Sequence, residues 1–285
     1  MKTTIISILL LAGLAMMSCT KSEVLPDAPI LGLGGETWVA GPIDKWLETN
    51  FVTPYNIEVK YKWDPFELNY LRNLVPVKEE KVELVMTAVR DIWIAPYVKS
   101  AGEDFIKKYS PKVFMLAGSA EHNNDGTIVL GQAEGGRKIV LMVVNKFAKE
   151  SPDQVVQMLH TIHHEFAHIL HQNRLYPVEW KSLNPQHYTA AWFNSSDQLA
   201  QSQGLVTAYA KASPDEDFVE TVSVLLVYGQ DAFNTIVNNP NLPVEARNIL
   251  RKKEDIVVRY FQREYGINFR TLQADTQKAI QEFIK

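Results

Sequence analysis

Cysteine is almost absent from this chain of 285 residues, which contains one, Cys19. A single thiol excludes an internal disulfide and a thiolate metal cluster. Basic residues are not in excess either, because the formal net charge is -4 and the Lys and Arg residues are scattered along the chain. No basic stripe is present, so we predict no nucleic-acid partner. Any metal ion must therefore bind through His, Asp or Glu side chains.

The first 18 residues have the pattern of an export signal. Lys2 supplies a positive charge, residues 5–17 form an apolar run, and Ser18 is a small residue at a position suited to cleavage. The apolar run is shorter than the about 20 residues that a membrane-spanning helix needs. We therefore predict a removable signal peptide over residues 1–18 and an exported mature protein.

Cys19 follows the apolar run directly, and this arrangement resembles a bacterial lipoprotein signal peptide. The resemblance implies that Cys19 is acylated, that residues 19–27 form a polar tether, and that lipid alone holds the protein at the outer membrane. The protein would then face either the periplasm or the outside. Met16 and Met17 depart from the usual residues before the cysteine, so an ordinary secretory signal is the alternative.

Residues 28–285 contain no low-complexity linker or internal repeat, so we predict a single domain there. Hydrophobic residues make up 46% of the chain, which suits a globular core. Alternating and periodic apolar patterns predict several elements before the main helix. These are a helix at 44–51, a strand at 56–63, a strand at 81–89, a helix at 102–109, and a hairpin of residues 127–131 and 138–145 turning at Gly135-Gly136.

The best-defined element is a helix over residues 152–173. Ser151 can cap it, Pro152 suits its first position, and Asp153 favours the positive end of its dipole. One face carries a buried stripe at three- and four-residue steps, formed by Val155, Leu159, Ile162, Phe166 and Ile169. The opposite side carries His160, His164, His168 and His171.

His164, Glu165 and His168 form an HExxH motif on this helix. Residues four apart project side by side, so His164 and His168 can bind one zinc ion. Glu165 lies close enough to the open position of the metal to act as a general base toward water. The alternative is a solvated polar face that matches the motif by chance.

The remaining histidines of the helix have weaker patterns. His171 extends the motif to HExxHxxH, which lacks the spacing of a third ligand found in metzincins. We therefore predict that His171 supports the site from the second coordination sphere. His160 and His163 are expected to be ordinary surface histidines, because no mechanism requires them.

The best source of a third ligand is the acidic segment at residues 213–221. Pro214 and its acidic neighbours predict the start of a second helix, on which Glu216 and Glu220 face the same way one turn apart. One of them can bind zinc while the other accepts a hydrogen bond from a ligand histidine. Asp217 is expected to face solvent. The alternative is ordinary helix-start charge, which the helix dipole favours.

The motif followed by residues 216–220, EDFVE, resembles a gluzincin site and in particular the lethal-factor-type toxin peptidases, whose helix reads EFFAE. The resemblance implies that Glu216 binds zinc and that Glu220 supports the site. It also implies a catalytic role for Tyr209, seven residues before Glu216, as a hydrogen-bond donor to the oxyanion. A packed tyrosine is the alternative.

Over most of its length the chain resembles the substrate import-associated zinc metallohydrolase lipoproteins, also described as zinc-binding metallopeptidases. The resemblance rests on residues 44–47 (DKWL), 54–61 (PYNIEVKY), 163–172 (HHEFAHILHQ) and 216–220. It implies proximity to a TonB-dependent nutrient-import complex of the outer membrane.

These patterns predict an α+β, zincin-like fold in which a small sheet covers the HExxH helix and a mainly helical C-terminal part supplies Tyr209 and Glu216. The predicted function is zinc-dependent hydrolysis of a peptide or protein substrate, with one Zn²⁺ per chain. A hydrolase of another acyl or amide bond is the nearest enzymatic alternative. A non-catalytic nutrient-binding accessory lipoprotein with a structural zinc is the alternative outside the enzymes.

Overall fold

The computed structural model describes residues 39–64, 67–68, 71–123, 126–134 and 137–285. The predicted signal peptide, Cys19, the tether and the Gly135-Gly136 turn lie outside the described residues. From Ala40 to Lys285 the chain forms one compact unit. No helix among the described residues is both long enough and apolar enough to cross a membrane.

The described helices are numbered in chain order: α1 Pro42–Leu47, α2 Glu79–Ala88, α3 Ala95–Ala101, α4 Glu103–Tyr109, α5 Pro152–Asn173, α6 Asp197–Ser202, α7 Pro214–Val227, α8 Gly229–Val237, α9 Val244–Tyr265 and α10 Phe269–Ile284. Wide π-helical turns extend α1 through Glu48–Val52 and join α2 to α3 through Val89–Ile94. One further α-helical turn, Thr53–Tyr55, follows the first of these. The predicted helices at 44–51, 102–109 and 152–173 are confirmed.

The described strands are β1 Glu58–Lys60, β2 Val113–Leu116, β3 Glu121–His122, β4 Ile128–Val129, β5 Gly131–Glu134 and β6 Lys138–Leu141. The main sheet has the order β1-β2-β6-β5, with β5 antiparallel to β6 and the other pairs parallel. Strands β3 and β4 pair separately. Helices outside the sheet dominate the rest, so the predicted α+β architecture is confirmed.

The predicted strand at residues 81–89 is wrong, because this segment lies in α2 and the π-helical turn after it. Its fully buried apolar side chains, Val82, Val85, Met86 and Val89, follow helical steps of three and four. Glu83 between them is exposed, as the outer face of a helix requires. The apolar residues of this segment are compatible with the two-residue period of a strand and with the 3.6-residue period of a helix. Packing on both sides of α2 favours the helix.

Two strand predictions have the correct alternation but incorrect bounds. In the segment 56–63, Ile57, Val59 and Tyr61 are buried, yet only Glu58–Lys60 pair with β2. In the predicted hairpin, the strand that pairs with β6 is β5, so residues predicted as turn belong to the ladder. The segment Ile128–Val129 pairs with β3 instead.

Helix α5 lies at the centre of the core. Its predicted stripe is buried, since Val155, Leu159, Ile162 and Phe166 are 0% exposed. The Phe166 ring meets the edges of Trp93 and Tyr97 at centroid distances of 5.0 Å each, a favourable aromatic geometry. The side chain of Ser151 makes no capping bond, contrary to the prediction, and its carbonyl oxygen accepts the backbone N–H of Gln154.

Strand β5 runs close to the outer face of α5. A Cβ atom built on Gly131 would lie 2.1 Å from Cγ2 of Thr161, so only glycine permits this approach. Thr161 is one helical turn before Glu165, on the same face. The edge of the sheet is therefore held beside the part of α5 that carries the HExxH motif.

Candidate metal centre

Helices α5 and α7 pack along each other and bring two distant segments together. The predicted second helix is confirmed: it begins at Pro214, and the Ser213 hydroxyl caps it by accepting the N–H of Glu216 at 3.1 Å. Phe218, Val222 and Leu225 are fully buried. Their burial turns the opposite face of α7, with Glu216 and Glu220, toward the histidines of α5.

The first cluster of polar side chains consists of His164, His168 and Glu216. Oε2 of Glu216 lies 3.0 Å from Nε2 of His164 and 3.3 Å from Nε2 of His168. The His164 side chain is 7% exposed, whereas those of His168 and Glu216 are 15% and 21% exposed. Three potential ligand atoms therefore converge at a point that keeps access to solvent on one side.

The second cluster lies one turn deeper and centres on Glu220. Its Oε1 is 2.7 Å from Nδ1 of His164 and 2.8 Å from Nε2 of His160. Its Oε2 accepts a hydrogen bond from the Thr207 hydroxyl at 2.6 Å. Since Glu220 is almost completely buried, these contacts fix the orientation of the His164 ring and direct Nε2 toward Glu216.

The carboxylates make this part of the molecule favourable for positive charge. Burial alone would lower the pKa of His164, but hydrogen bonds with Glu216 and Glu220 raise it to about 10. Burial would raise the pKa of Glu216, yet its hydrogen bonds with His164 and His168 lower it to about 2. The pKa of Glu220 also lies well below its usual value, against the effect of burial, because of His160 and His164. Such a set of groups attracts a cation.

Tyr209 covers one side of His164. The two rings stack with centroids 5.6 Å apart and planes at 26°. Burial, followed by the charges of Glu216 and Glu165, raises the pKa of Tyr209, so its hydroxyl keeps its proton and can donate it in a hydrogen bond. Glu165 is half-buried, and its charge acts on both Tyr209 and His164.

His171 lies behind His168, with its Nε2 3.1 Å from Nδ1 of His168. Burial and the neighbouring charge of His168 lower the pKa of His171 to about 4. A neutral His171 can accept the N–H of His168 and so define which nitrogen of His168 faces Glu216.

His160 and His163 are not surface histidines, so this prediction was wrong. His163 is 1% exposed and packs beside Tyr97, with ring centroids 5.9 Å apart. His160 is bound to Glu220, and its carbonyl oxygen accepts the Ser223 hydroxyl at 2.7 Å. Helices pack on α5 from more than one side, so His163 is buried and the His160 side chain is only 22% exposed.

Asp217 does not face solvent, which corrects another prediction. It is fully buried and forms an ion pair with Lys253 of α9, with 2.6 Å between Oδ2 and Nζ. The Tyr188 hydroxyl donates a hydrogen bond to the same oxygen at 2.8 Å. The Lys253 ammonium also donates to the Gly204 carbonyl at 2.8 Å. This pair joins α9 to α7 at the residue that follows Glu216.

Two contributors to the site were missed from the sequence. His160 precedes His164 by four residues, and that repeated spacing is a signal that could have identified it. Thr207 carries no such signal, since a threonine in a loop is common and its bond to Glu220 depends on tertiary packing.

Comparison with known proteins assigns the chain to a family. Residues 36–270 match the family model described as "Putative zinc-binding metallo-peptidase". The chain belongs to this family. A crystal structure of a putative zinc-binding metallo-peptidase from Bacteroides caccae is similar to it, with 30% identity and a TM-score of 0.73 over 85% of this chain and 92% of that one. No curated protein matches the chain.

The residues of the first cluster suit the zinc ion that the family description names. Two imidazole nitrogens and one carboxylate oxygen are a ligand set that zinc commonly has in catalytic sites. Bonds of about 2.0–2.1 Å in a tetrahedron place ligand atoms about 3.3 Å apart. The separations of 3.0 and 3.3 Å around Oε2 of Glu216 are close to that value.

Proposed function

We propose that this protein is a zinc-dependent peptidase in which His164, His168 and Glu216 hold one Zn²⁺ ion. The observation that supports this assignment is that Nε2 of both histidines faces one oxygen of Glu216, at 3.0 and 3.3 Å. Zinc in such a site lowers the pKa of water and polarises a carbonyl group. The cluster around Glu220 is less suited to catalysis because its carboxylate is 4% exposed and already has three hydrogen-bond partners.

Glu165 is the proposed proton carrier of the reaction. Its carboxylate accepts a proton from the attacking water and then donates it to the nitrogen of the leaving amine. Tyr209 donates its hydroxyl proton in a hydrogen bond to the oxyanion that forms at the attacked carbonyl. Glu220 and His171 keep His164 and His168 in the orientation that presents Nε2.

The position of the main sheet's edge favours a peptide as the substrate. Among the described strands of the main sheet, β5 is at the edge next to Thr161 of α5. An edge strand can pair with an extended peptide through its backbone groups. A peptide bound there passes over the face of α5 that carries Glu165.

The test is hydrolysis of a diverse peptide library by the purified protein, with and without a zinc chelator. We expect cleavage products that disappear with chelator and return with added zinc. Glu165→Gln should keep its zinc, measured by elemental analysis, and lose cleavage by at least about a hundredfold. Glu179→Gln, a change at a partly exposed glutamate outside the cluster, is the matched control. Equal cleavage by Glu165→Gln and the wild-type protein would refute the assignment.

The alternative of a nutrient-binding lipoprotein with a structural zinc predicts a different result. A structural zinc needs four protein ligands and no base, so Glu165→Gln would then leave every measured property unchanged, and no peptide would be cleaved.

We further propose that the protein belongs to the import-associated lipoproteins, is acylated at Cys19, and acts at the outer membrane near a TonB-dependent nutrient importer. This rests on the apolar run before Cys19 and on the resemblance along the chain. Replacing Cys19 with Ala should release the protein from the membrane fraction. Retention of that variant in the membrane fraction would contradict the lipid anchor.

A further inference from the structure

Exposed aromatic side chains are concentrated around the candidate metal centre. Among the described residues, four large aromatic side chains are 37–47% exposed: Trp63, Phe193, Tyr209 and Tyr228. Tyr209 stacks on His164, and the Tyr228 ring lies 5.7 Å from that of His160. The Phe193 ring contacts Trp192, which in turn contacts Tyr209. Contact of apolar surface with water is unfavourable, and a contiguous exposed apolar patch marks a binding site.

The ring contacts form one continuous series. From His164 the series passes to Tyr209 at 5.6 Å, from Tyr209 to Trp192 at 4.7 Å, and from Trp192 to Phe193 at 6.0 Å. We call Tyr209, Trp192 and Phe193 the aromatic wall. Its first ring covers a proposed zinc ligand, and its last ring is 43% exposed. The wall therefore extends from the reaction centre outward.

The wall is held in place by backbone hydrogen bonds. Trp192 begins a 3-10 turn, closed by the N–H of Ser195 on the Trp192 carbonyl at 2.8 Å. The Thr189 N–H donates to the Lys211 carbonyl at 2.8 Å, which ties this segment to the turn that carries Tyr209. A ligand side chain would therefore meet a surface that is already ordered, at little entropic cost.

We propose that the aromatic wall binds a bulky apolar side chain, aromatic or large aliphatic, of a residue next to the bond that is hydrolysed. This inference rests on the proposed peptidase function. Adjacent Cα atoms of a peptide are about 3.8 Å apart, so a chain whose carbonyl lies at the proposed zinc site has its neighbouring side chains within reach of Trp192. Aromatic rings attract aromatic and aliphatic groups, whereas a small polar side chain gains little binding free energy from contact with them.

The test uses two probes, L-phenylalanine hydroxamate and glycine hydroxamate, titrated calorimetrically into the zinc-loaded full-length protein. Both probes bind zinc through the same hydroxamate group and differ only in the benzyl side chain. We expect the wild-type protein to prefer the phenylalanine probe by about tenfold or more. Trp192→Ala should reduce that preference about five- to tenfold, and Trp192→Phe should reduce it less. Trp63→Ala, an exposed tryptophan outside the wall, is the matched control and should leave the preference unchanged.

Phe193→Ala provides a second variant that does not threaten the fold, because its ring is exposed. A smaller but measurable loss of preference is expected there. If neither Trp192→Ala nor Phe193→Ala changes the preference in protein that contains zinc, the aromatic wall is not a binding surface, and the peptidase proposal is unaffected. Protein that takes up no zinc would instead overturn the proposed function and this inference with it.

Discussion

Lys253 is expected to be among the most sensitive positions outside the candidate metal centre. Its side chain and that of Asp217 are both 0% exposed, and the ammonium is the one cation paired with Asp217 among the described residues. Replacement of Lys253 by Met removes the cation and leaves the carboxyl group buried with the Tyr188 hydroxyl. Breaking a buried ion pair in this way costs about 3–5 kcal/mol.

The magnitude can also be obtained from the protonation of Asp217. Without Lys253, burial favours the neutral carboxyl, since desolvation already raises the pKa of Asp217 in the presence of that cation. Protonating an aspartate at pH 7 costs about 4 kcal/mol relative to its usual pKa of about 3.9, and at pH 5 about 1.5 kcal/mol. The loss of stability in Lys253→Met should therefore be about 4 kcal/mol at pH 7 and clearly smaller at pH 5.

Urea unfolding and thermal unfolding at the two pH values measure this effect. A loss of about 4 kcal/mol lowers the Tm of a domain of this size by about 8 °C or more. The double variant Lys253→Met/Asp217→Asn should recover most of the loss, and its stability relative to the wild-type protein should not depend on pH in this range. Lys252→Met, at the exposed neighbouring position, is the control and should change stability by less than about 0.5 kcal/mol. An equal, pH-independent loss in the single and double variants would refute the reasoning.

Three further predictions concern the core and backbone. Burial lowers the pKa of His163 from 6.5 to about 3. Below pH 6.5 the unfolded chain therefore binds a proton that the folded chain does not bind, and stability falls as the pH drops toward 3. Between pH 7 and 5, the free energy of unfolding of His163→Phe should fall by about 2 kcal/mol less than that of the wild-type protein, measured by urea unfolding with chelator present, and equal decreases would contradict this. Phe166→Ala should lower the free energy of unfolding by about 3–5 kcal/mol, because the ring is fully buried. A decrease below about 1 kcal/mol in thermal unfolding would show that neighbouring side chains fill the space left by the ring. Gly204→Ala combines a φ of +81° with a Cβ position 2.7 Å from Ile249, so it should lower the Tm more than Gly266→Ala, where φ is +67° and the space is open; an equal change would indicate that Ile249 moves aside.

Local pattern was sufficient for the elements whose period and end signals agree. Helix α5 has the predicted bounds, 152–173, because one apolar stripe runs along its whole length and Pro152 fits its first turn. The same arguments gave the start of α7 at Pro214. The four-residue spacing of His164 and His168 and the one-turn spacing of Glu216 and Glu220 are backbone properties, so their relative directions on each helix followed from the sequence.

Features that depend on long-range packing were not accessible in this way. The sequence predicts a solvent-facing Asp217, whereas its burial depends on Lys253, which lies on another helix. His163 is covered by Tyr97 of α3, and residues 81–89 become helical because core packs on them from several directions. The contact between Trp192 and Tyr209 likewise joins segments that carry no local pattern.

The hydroxyl of Thr207 couples two parts of the site. It donates to Glu220, which orients His164, and it accepts the N–H of Ala210 at 3.2 Å within the turn that carries Tyr209. The Thr207 oxygen thus contacts both Glu220, which orients His164, and the turn that carries Tyr209. Three hydrogen bonds in series thus link His164 to the turn of Tyr209, so we expect a substitution that repositions one of these two side chains to require an adjustment of the other.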